Sequence, residues 1–211
     1  MIKEHEIQND LEERGFFLTA DALAGLHTYI ELLLKWNKVM NLVGPSEGKE
    51  IFQGLVLDSF YLKKFLGGVF KGDDSTVTLD LGAGAGLPGI PLRLIWQCGK
   101  YYLVESRMKR AVFMNQAVAA LKIDNTFVLN CRFQDIDEGL LPVQQVVSRA
   151  FMPLHKLLPV AGQMLDEKGV LTVLSSEEYS GQNLPGFDIM DVMEYTINSK
   201  KRYFWALISN I

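Results

Sequence analysis

The chain has 211 residues, of which 48% are hydrophobic and 22% are charged, and its formal net charge is −4. This composition predicts a globular protein with one sizeable core. We expect no membrane-spanning helix, because no stretch approaches about 20 uninterrupted apolar residues, and no signal peptide, because the stretch of residues 1–6 is charged and lacks an apolar core. We therefore expect a cytosolic protein, and the acidic balance excludes a general nucleic-acid coat protein while leaving room for a local RNA-binding patch.

The cysteine and histidine content predicts no metal site. Cys98 and Cys131 are the two cysteines, they are far apart in the chain, and neither belongs to a CxxC pair. With three histidines in all, no cluster with metal-ligand spacing can be assembled. We expect both thiols to be reduced and buried.

The first part of the chain is predicted to be helical. Apolar residues recur at spacings of three and four from Thr19 to about Asn41, and Thr19 is placed as the N-cap. A second helix is predicted from near Glu47 to Leu66, closed by Gly67 and Gly68. Residues 1–72 are therefore interpreted as an N-terminal helical segment.

Residues 73–211 have the pattern of an α/β domain. Short apolar strands are predicted at 77–79, 101–104, 127–129, 143–147 and 170–174, with helices at 109–121 and 154–165 and a closing hairpin at 188–197 and 203–209. Alternating strands and helices predict right-handed crossovers and a parallel sheet covered on both faces. The expected fold is a mostly parallel sheet with a C-terminal antiparallel hairpin and N-terminal helices.

A glycine-rich loop directly follows the first predicted strand. Asp80 ends that strand, and Gly82, Gly84 and Gly86 alternate through the loop before Leu87. Alternating glycines let the backbone turn sharply and approach a ligand without Cβ obstruction. Because ligands of open α/β sheets bind at the carboxyl ends of the strands, this loop predicts a cofactor site.

Two cofactor classes compete for this loop. The segment from Gly84 to Gly89 also fits GxGxxG, with Glu105 about 20 residues further on as a ribose-binding acid, which is the pattern of a dinucleotide dehydrogenase. Against it, Asp80 would repel a pyrophosphate but could receive a cationic amino group, and the terminal hairpin replaces the second nucleotide-binding half. The pattern favours a Rossmann-like S-adenosylmethionine methyltransferase, with Glu105 accepting both ribose hydroxyls.

The residues after the fourth strand narrow the chemical classes of atom that could accept a methyl group. It contains Ser148-Arg149-Ala150-Phe151 where amine-methylating enzymes carry an (Asp/Asn)-Pro-Pro-aromatic motif. Carbon-methylating enzymes need a cysteine nucleophile near that strand, and both cysteines lie elsewhere. The remaining class is an atom that is already nucleophilic, such as N7 of guanine.

The chain resembles the bacterial RsmG/GidB family of guanine-N7 methyltransferases of small-subunit (16S) rRNA. The resemblance extends over nearly the whole chain and is carried by Lys35-Trp36-Asn37-Lys38, Leu57-Asp58-Ser59, residues 80–92 (DLGAGAGLPGIPL), Lys109-Arg110 and residues 148–151 (SRAF). It implies a class I methyltransferase fold, S-adenosylmethionine as cofactor, and small-subunit rRNA or a ribosomal particle as partner. We expect a monomer.

The resemblance also implies roles for individual residues. Cofactor contacts are implied at Gly82, Leu87, Phe133 beside the adenine, Gln134 as its hydrogen-bonding partner, and Arg149. Arg149, expected to point into the crevice, is also the implied catalytic residue and would position the guanine or the cofactor carboxylate; an ion pair with a purely structural role is the alternative.

Lys109 and Arg110 form a basic patch that is the candidate RNA contact, with Lys200-Lys201-Arg202 as a second patch. Leu55 and Ser175 depart from the family, which usually has His and Lys at these positions. A methyltransferase of small molecules and a non-catalytic cofactor-binding paralogue therefore remain open as alternatives.

Overall fold

A computed structural model describes residues 2–210. It begins with α1 (Glu4–Glu13) and α2 (Ala20–Met40), and continues through α3 (Gly48–Ile51), a π-helical turn (Phe52–Val56) and α4 (Leu57–Val69). The predicted cap is confirmed, since Thr19 Oγ1 accepts the N–H of Ala22 at 3.2 Å. The predicted helix end at Gly67 and Gly68 is wrong. Both glycines lie inside α4, because burial of Leu66 and Val69 extends the helix across the exposed pair.

The sheet has seven strands in the order β3-β2-β1-β4-β5-β7-β6. The strands are β1 (Val77–Leu81), β2 (Lys100–Val104), β3 (Thr126–Leu129), β4 (Val143–Arg149), β5 (Leu165–Ser175), β6 (Phe187–Ile197) and β7 (Lys200–Ser209). The first five are parallel, and β7 pairs antiparallel with both β5 and β6. The helices between the strands are α5 (Gly89–Arg93), α6 (Met108–Leu121) and α7 (Leu154–Gly162). The predicted α/β fold with a terminal hairpin is confirmed.

Several element bounds differ from the prediction: the second predicted helix is divided into α3, the π-helical turn and α4, and β5 begins five residues before its predicted start. The helix predicted to reach Leu165 ends at Gly162, and Leu165 already pairs with Val143 at the start of β5. The second hairpin strand begins at Lys200 because Asn198 and Ser199, with φ of 50° and 61°, form a two-residue turn. Two successive positive φ values match the twist of the strands that such a turn joins.

The N-terminal helices support the glycine-rich loop from behind. Tyr29 of α2 is fully buried and donates its hydroxyl to the carbonyl of Ala85 at 2.7 Å. Ser59 of α4 donates to the carbonyl of Pro88 at 2.9 Å. The helices thereby fix the loop against the sheet. Residue 72 lies in the connection between α4 and β1, and the division of the chain into two segments there stays a prediction. Within the described part of the chain, every helix is too short or too polar to cross a membrane.

Candidate functional site

The strand order reverses between β1 and β4, and two cavities open at the carboxyl ends of the strands on either side of that point. The β1–β3 cavity has a volume of about 550 Å³, and its walls include Gly82, Glu105, Arg110, Cys131, Phe133 and Gln134. The β4–β5 cavity has a volume of about 530 Å³, and its walls include Leu55, Asp58, Arg149, Ser175, Tyr195 and Arg202.

The two cavities meet at Ala150 and Met152, which line both. Ala150 has a φ of 50°, a left-handed conformation that is uncommon for a residue other than glycine. It follows the end of β4, so Arg149 lines one cavity while Phe151 lines the other. Residues held in such conformations concentrate at functional sites. A ligand in the β1–β3 cavity would thus lie beside a second molecule in the β4–β5 cavity.

The glycine-rich loop forms part of the β1–β3 cavity. A Cβ atom on Gly82, which has a φ of 71°, would lie 2.4 Å from the ring of Phe151, so a side chain there would displace that ring. A Cβ atom on Gly84, at a φ of 62°, would meet its nearest atom, Nη1 of Arg110, at 3.7 Å. Gly84 is therefore unobstructed towards Arg110, which lines the cavity, although Gly84 itself is outside the cavity wall.

Glu105 follows β2 and is the buried carboxylate of the β1–β3 cavity, with 6% of its surface exposed. Its Oε2 accepts the N–H of Gly84 at 3.1 Å, and its Oε1 accepts the N–H of Arg107 at 2.8 Å. Arg110 Nη1 lies 3.5 Å from Oε2. Each carboxylate oxygen has a second lone pair, so each can still accept a hydrogen bond from one hydroxyl group of a vicinal diol.

The β1–β3 cavity also has an aromatic wall. Phe133 lies in a 3₁₀ turn after β3, and its ring packs edge-on against Phe151 with 5.9 Å between the ring centroids. Gln134 follows Phe133 and is exposed at the rim of the cavity. An aromatic wall beside a polar side chain can hold a flat nitrogen heterocycle by stacking and one hydrogen bond.

Four sequence-predicted cofactor residues are outside the walls of both cavities: Asp80, Gly84, Gly86 and Leu87. Asp80 is 1% exposed and accepts hydrogen bonds from the hydroxyl of Tyr101, at 3.1 Å, and from the backbone of Gly89. Burial raises the pKa of Asp80 to about 7. Gly86 packs against Ile90, and Leu87 is 8% exposed. Direct contacts of Asp80, Gly84, Gly86 and Leu87 with a cofactor stay predictions.

Arg149 lies in the β4–β5 cavity. Its Nη1 donates to the carbonyl of Leu55 at 3.2 Å and lies 3.3 Å from Oδ2 of Asp58. Arg202 reaches Asp58 from β7, donating from Nη1 to Oδ1, and it donates from Nη2 to the carbonyl of Gly54 at 2.9 Å. The predicted Lys200-Lys201-Arg202 patch is therefore divided, because Arg202 turns into the cavity while Lys200 and Lys201 are exposed.

Both departures from the family pattern lie in the β4–β5 cavity. Leu55 lines it beside Arg149, and Ser175 and Ser176 line it at the end of β5. None of these three residues contributes to the β1–β3 cavity. A loss of cationic side chains at these positions would therefore act on whatever occupies the β4–β5 cavity, and not on Glu105 or its surroundings.

The predicted pair Lys109 and Arg110 is also divided by the structure. Lys109 is exposed on the first turn of α6, next to Met108, which is 66% exposed. Arg110 instead faces Glu105 and lines the β1–β3 cavity. The helical step between neighbouring residues turns successive side chains by about 100°, which explains why the two cations point to different places.

Cys131 offers a chemical probe of the β1–β3 cavity. It lines that cavity, and the prediction that both cysteines are buried is wrong, because Cys131 and Cys98 are each partly exposed. Partial burial still raises the pKa of the Cys131 thiol. We expect a molecule bound there to slow alkylation of Cys131 by at least fivefold. Cys98, equally partly exposed but outside the cavity, serves as the internal control. Peptide mass spectrometry after timed alkylation with and without S-adenosylmethionine measures both rates, and equal protection of the two thiols would contradict this placement.

Comparison with known proteins gives one consistent result. The model of the family described as "rRNA small subunit methyltransferase G" matches residues 22–193. A protein named "Ribosomal RNA small subunit methyltransferase G" from Lawsonia intracellularis is 40% identical over 96% of this chain and 94% of its own. The protein of the same name from Oleidesulfovibrio alaskensis is 39% identical over 93% of this chain and 90% of its own.

A solved structure shows the same fold. A SAM-dependent methyltransferase from Aquifex aeolicus superimposes with a TM-score of 0.56 and 18% identity, covering 82% of this chain and 97% of that one.

Proposed function

Because the chain belongs to the rRNA small subunit methyltransferase G family, we propose that it transfers a methyl group from S-adenosylmethionine to N7 of a guanine in small-subunit rRNA. The observation that carries this proposal is the meeting of the two cavities at Ala150 and Met152. Transfer between two molecules requires the reacting atoms to be held in contact and in line, and adjacent cavities can provide that alignment.

The β1–β3 cavity fits the cofactor. Glu105 offers two oxygens to the ribose hydroxyls, Phe133 offers a ring face or edge to the adenine, and Gln134 offers a polar group at the rim. When bound, S-adenosylmethionine supplies an electrophilic methyl group on a sulfonium centre. Gly82 and Gly84 have no side chains, so the backbone of the glycine-rich loop could lie directly against the bound cofactor.

The β4–β5 cavity would hold the guanine and the RNA backbone next to it. N7 carries a lone pair and no hydrogen, so its reaction requires no general base. The positive charge moves from the sulfonium to the base, and the work of the protein is alignment. Arg149 and Arg202 are suited to a phosphate or to the O6 carbonyl of guanine, because a guanidinium group donates several hydrogen bonds in a fixed plane.

Lys109 and Arg110 should have separable effects. We expect Lys109→Glu to weaken small-subunit RNA binding about tenfold at low salt. The slope of log affinity against log salt concentration should become shallower by about one, as for the loss of one phosphate contact. Its affinity for the cofactor should not change. Arg110→Gln should instead change cofactor affinity, because Arg110 lies beside Glu105. Filter binding of RNA over a salt series and calorimetry with the cofactor check both variants. An unchanged salt slope in Lys109→Glu would show that Lys109 does not contact RNA.

The activity itself is tested with methyl-labelled S-adenosylmethionine. We expect label to enter the rRNA of small ribosomal subunits, with free rRNA and tRNA assayed alongside. Transfer to small molecules alone would contradict an RNA substrate. Cofactor binding without transfer to any RNA would indicate a non-catalytic paralogue.

A further inference from the structure

Asp58 is a buried carboxylate shared by two arginines. It lies in the first turn of α4 and is 3% exposed. Arg202 donates to its Oδ1, and Nη1 of Arg149 lies 3.3 Å from its Oδ2. The hydroxyl of Tyr195 also donates to Oδ1 at 2.9 Å. Burial and the nearby carboxylate raise the pKa of Tyr195, so this hydroxyl stays protonated as a donor. Both carboxylate oxygens are therefore engaged with groups that line the same cavity.

The π-helical turn before Asp58 supplies the remaining contacts. In a π-helix the backbone hydrogen bonds shift from i+4 to i+5, and such single turns are frequent at functional sites. Here the carbonyl of Gly54 accepts from Arg202 and the carbonyl of Leu55 accepts from Arg149. Each arginine is thus held by one carbonyl of the turn and one oxygen of Asp58. We call this arrangement the Asp58 clamp; it consists of the side chains of Asp58, Arg149 and Arg202 and the carbonyls of Gly54 and Leu55.

We propose that Asp58 is a positioning residue for methyl transfer, and that the Asp58 clamp fixes Arg149 and Arg202 as the cationic wall of the β4–β5 cavity. This inference rests on the proposed function. Arg149, Arg202 and Asp58 together carry one net positive charge, and each arginine is 22% exposed towards solvent. Glu177, the other charged residue of the wall, is exposed. The guanidinium N–H groups outside the clamp can therefore donate to an anionic or carbonyl oxygen in the cavity.

The clamp also explains how this chain can recognise RNA without a cation at Ser175. Ser175 pairs with Tyr203 across β5 and β7, so Arg202 lies beside this position. The clamp turns Arg202 away from the exposed lysines of the hairpin and into the cavity that Ser175 lines. Arg202 thus brings a positive charge to the wall that Ser175 leaves neutral.

The test compares Asp58→Asn with wild type in three measurements. We expect kcat on small subunits to fall about tenfold or more, because the arginines lose their fixed direction. The KM for small subunits should stay the same or fall, since the cavity becomes more positive. The cofactor affinity and binding stoichiometry should not change. Asp58→Glu, which keeps the charge, should recover most of kcat.

Asp166→Asn is the matched control. The Asp166 carboxylate accepts a hydrogen bond from Gln144 at 2.9 Å, at the opposite end of β4 from Arg149. The same substitution there should leave kcat and KM unchanged. If Asp58→Asn lowers kcat only in proportion to a loss of cofactor-binding protein, Asp58 has a structural role and the proposal is overturned. An unchanged kcat in Asp58→Asn also overturns it.

Side-chain NMR tests the clamp without any methylation assay. In wild type, the guanidinium signals of Arg149 and Arg202, assigned from the Arg149→Lys and Arg202→Lys variants, should show slow rotation. Freely rotating groups in folded wild type would overturn the proposal even if Asp58→Asn failed to fold. A wild-type protein that transfers no methyl group would refute the proposed function. The NMR signals would still show whether Arg149 and Arg202 are held by the Asp58 clamp.

Discussion

Gly84→Val is expected to lower the affinity for S-adenosylmethionine at least about 100-fold, or about 2.7 kcal/mol, while the protein stays folded. Gly84 has a φ of 62°, and a Cβ there would meet no atom closer than 3.7 Å. A side chain there meets no clash with the fold itself, so the cost to the folded protein is the backbone strain that a positive φ imposes on valine. A cofactor lying against the loop would meet the branched side chain directly. The substitution would also disturb the N–H of Gly84 that Glu105 accepts.

A second glycine separates backbone strain from loss of contact. Gly15 has a φ of 78°, and a Cβ there would meet no atom within 4 Å. It lies in the connection after α1, outside the walls of both cavities. Gly15→Val should therefore lose a similar amount of stability, about 1–3 kcal/mol, and keep full cofactor affinity. Thermal unfolding and calorimetry on both variants measure the two effects. Unchanged affinity for S-adenosylmethionine in folded Gly84→Val would show that the glycine-rich loop does not contact the cofactor.

Replacing the guanines of the substrate RNA by 7-deazaguanine is expected to abolish methyl transfer and leave RNA binding intact. The substitution exchanges N7 for a C–H group, which removes the nucleophile and keeps the Watson–Crick edge. Small-subunit rRNA transcribed with the 7-deaza nucleotide should bind with an affinity within about threefold of normal RNA, or about 0.7 kcal/mol. Because no proton leaves N7, kcat on normal RNA, measured at saturating S-adenosylmethionine so that titration of Asp80 does not limit cofactor binding, should also be nearly flat with pH across neutrality.

The control for this experiment is RNA substituted with 7-deazaadenine, which alters a different base in the same way. It should accept methyl groups at the normal rate. Continued methylation of the 7-deazaguanine RNA would show that another atom accepts the methyl group. A loss of RNA binding with the loss of transfer would instead indicate that N7 is a recognition contact.

The β1–β3 cavity was largely predictable from sequence because its parts follow successive parallel strands. Gly82, Glu105 and Phe133 come after β1, β2 and β3, and the carboxyl ends of neighbouring parallel strands necessarily meet. The order of the strands does not determine that Arg110 turns towards Glu105. That orientation depends on where α6 begins, and a shift of one residue would move the side chain by about 100°.

The Asp58 clamp was not predictable from sequence. Asp58 and Arg202 are 144 residues apart, and their contact depends on the exact packing of α4 against the terminal hairpin. The π-helical turn that presents the carbonyls of Gly54 and Leu55 also has no sequence signal comparable to a glycine loop. Arg202 looked like one cation of an exposed basic patch, because spacing alone does not show which of three neighbouring cations turns inward.

The identity of the methylated nucleoside tests the central claim most directly. Small ribosomal subunits would be incubated with methyl-labelled S-adenosylmethionine and wild-type protein, with folded Gly84→Val as the matched blank. Their rRNA would then be digested to nucleosides and separated by chromatography with mass detection. We expect the label in 7-methylguanosine from the wild-type reaction and no label with Gly84→Val. Label in any other nucleoside, or none in a wild-type reaction that binds the cofactor, would contradict the account.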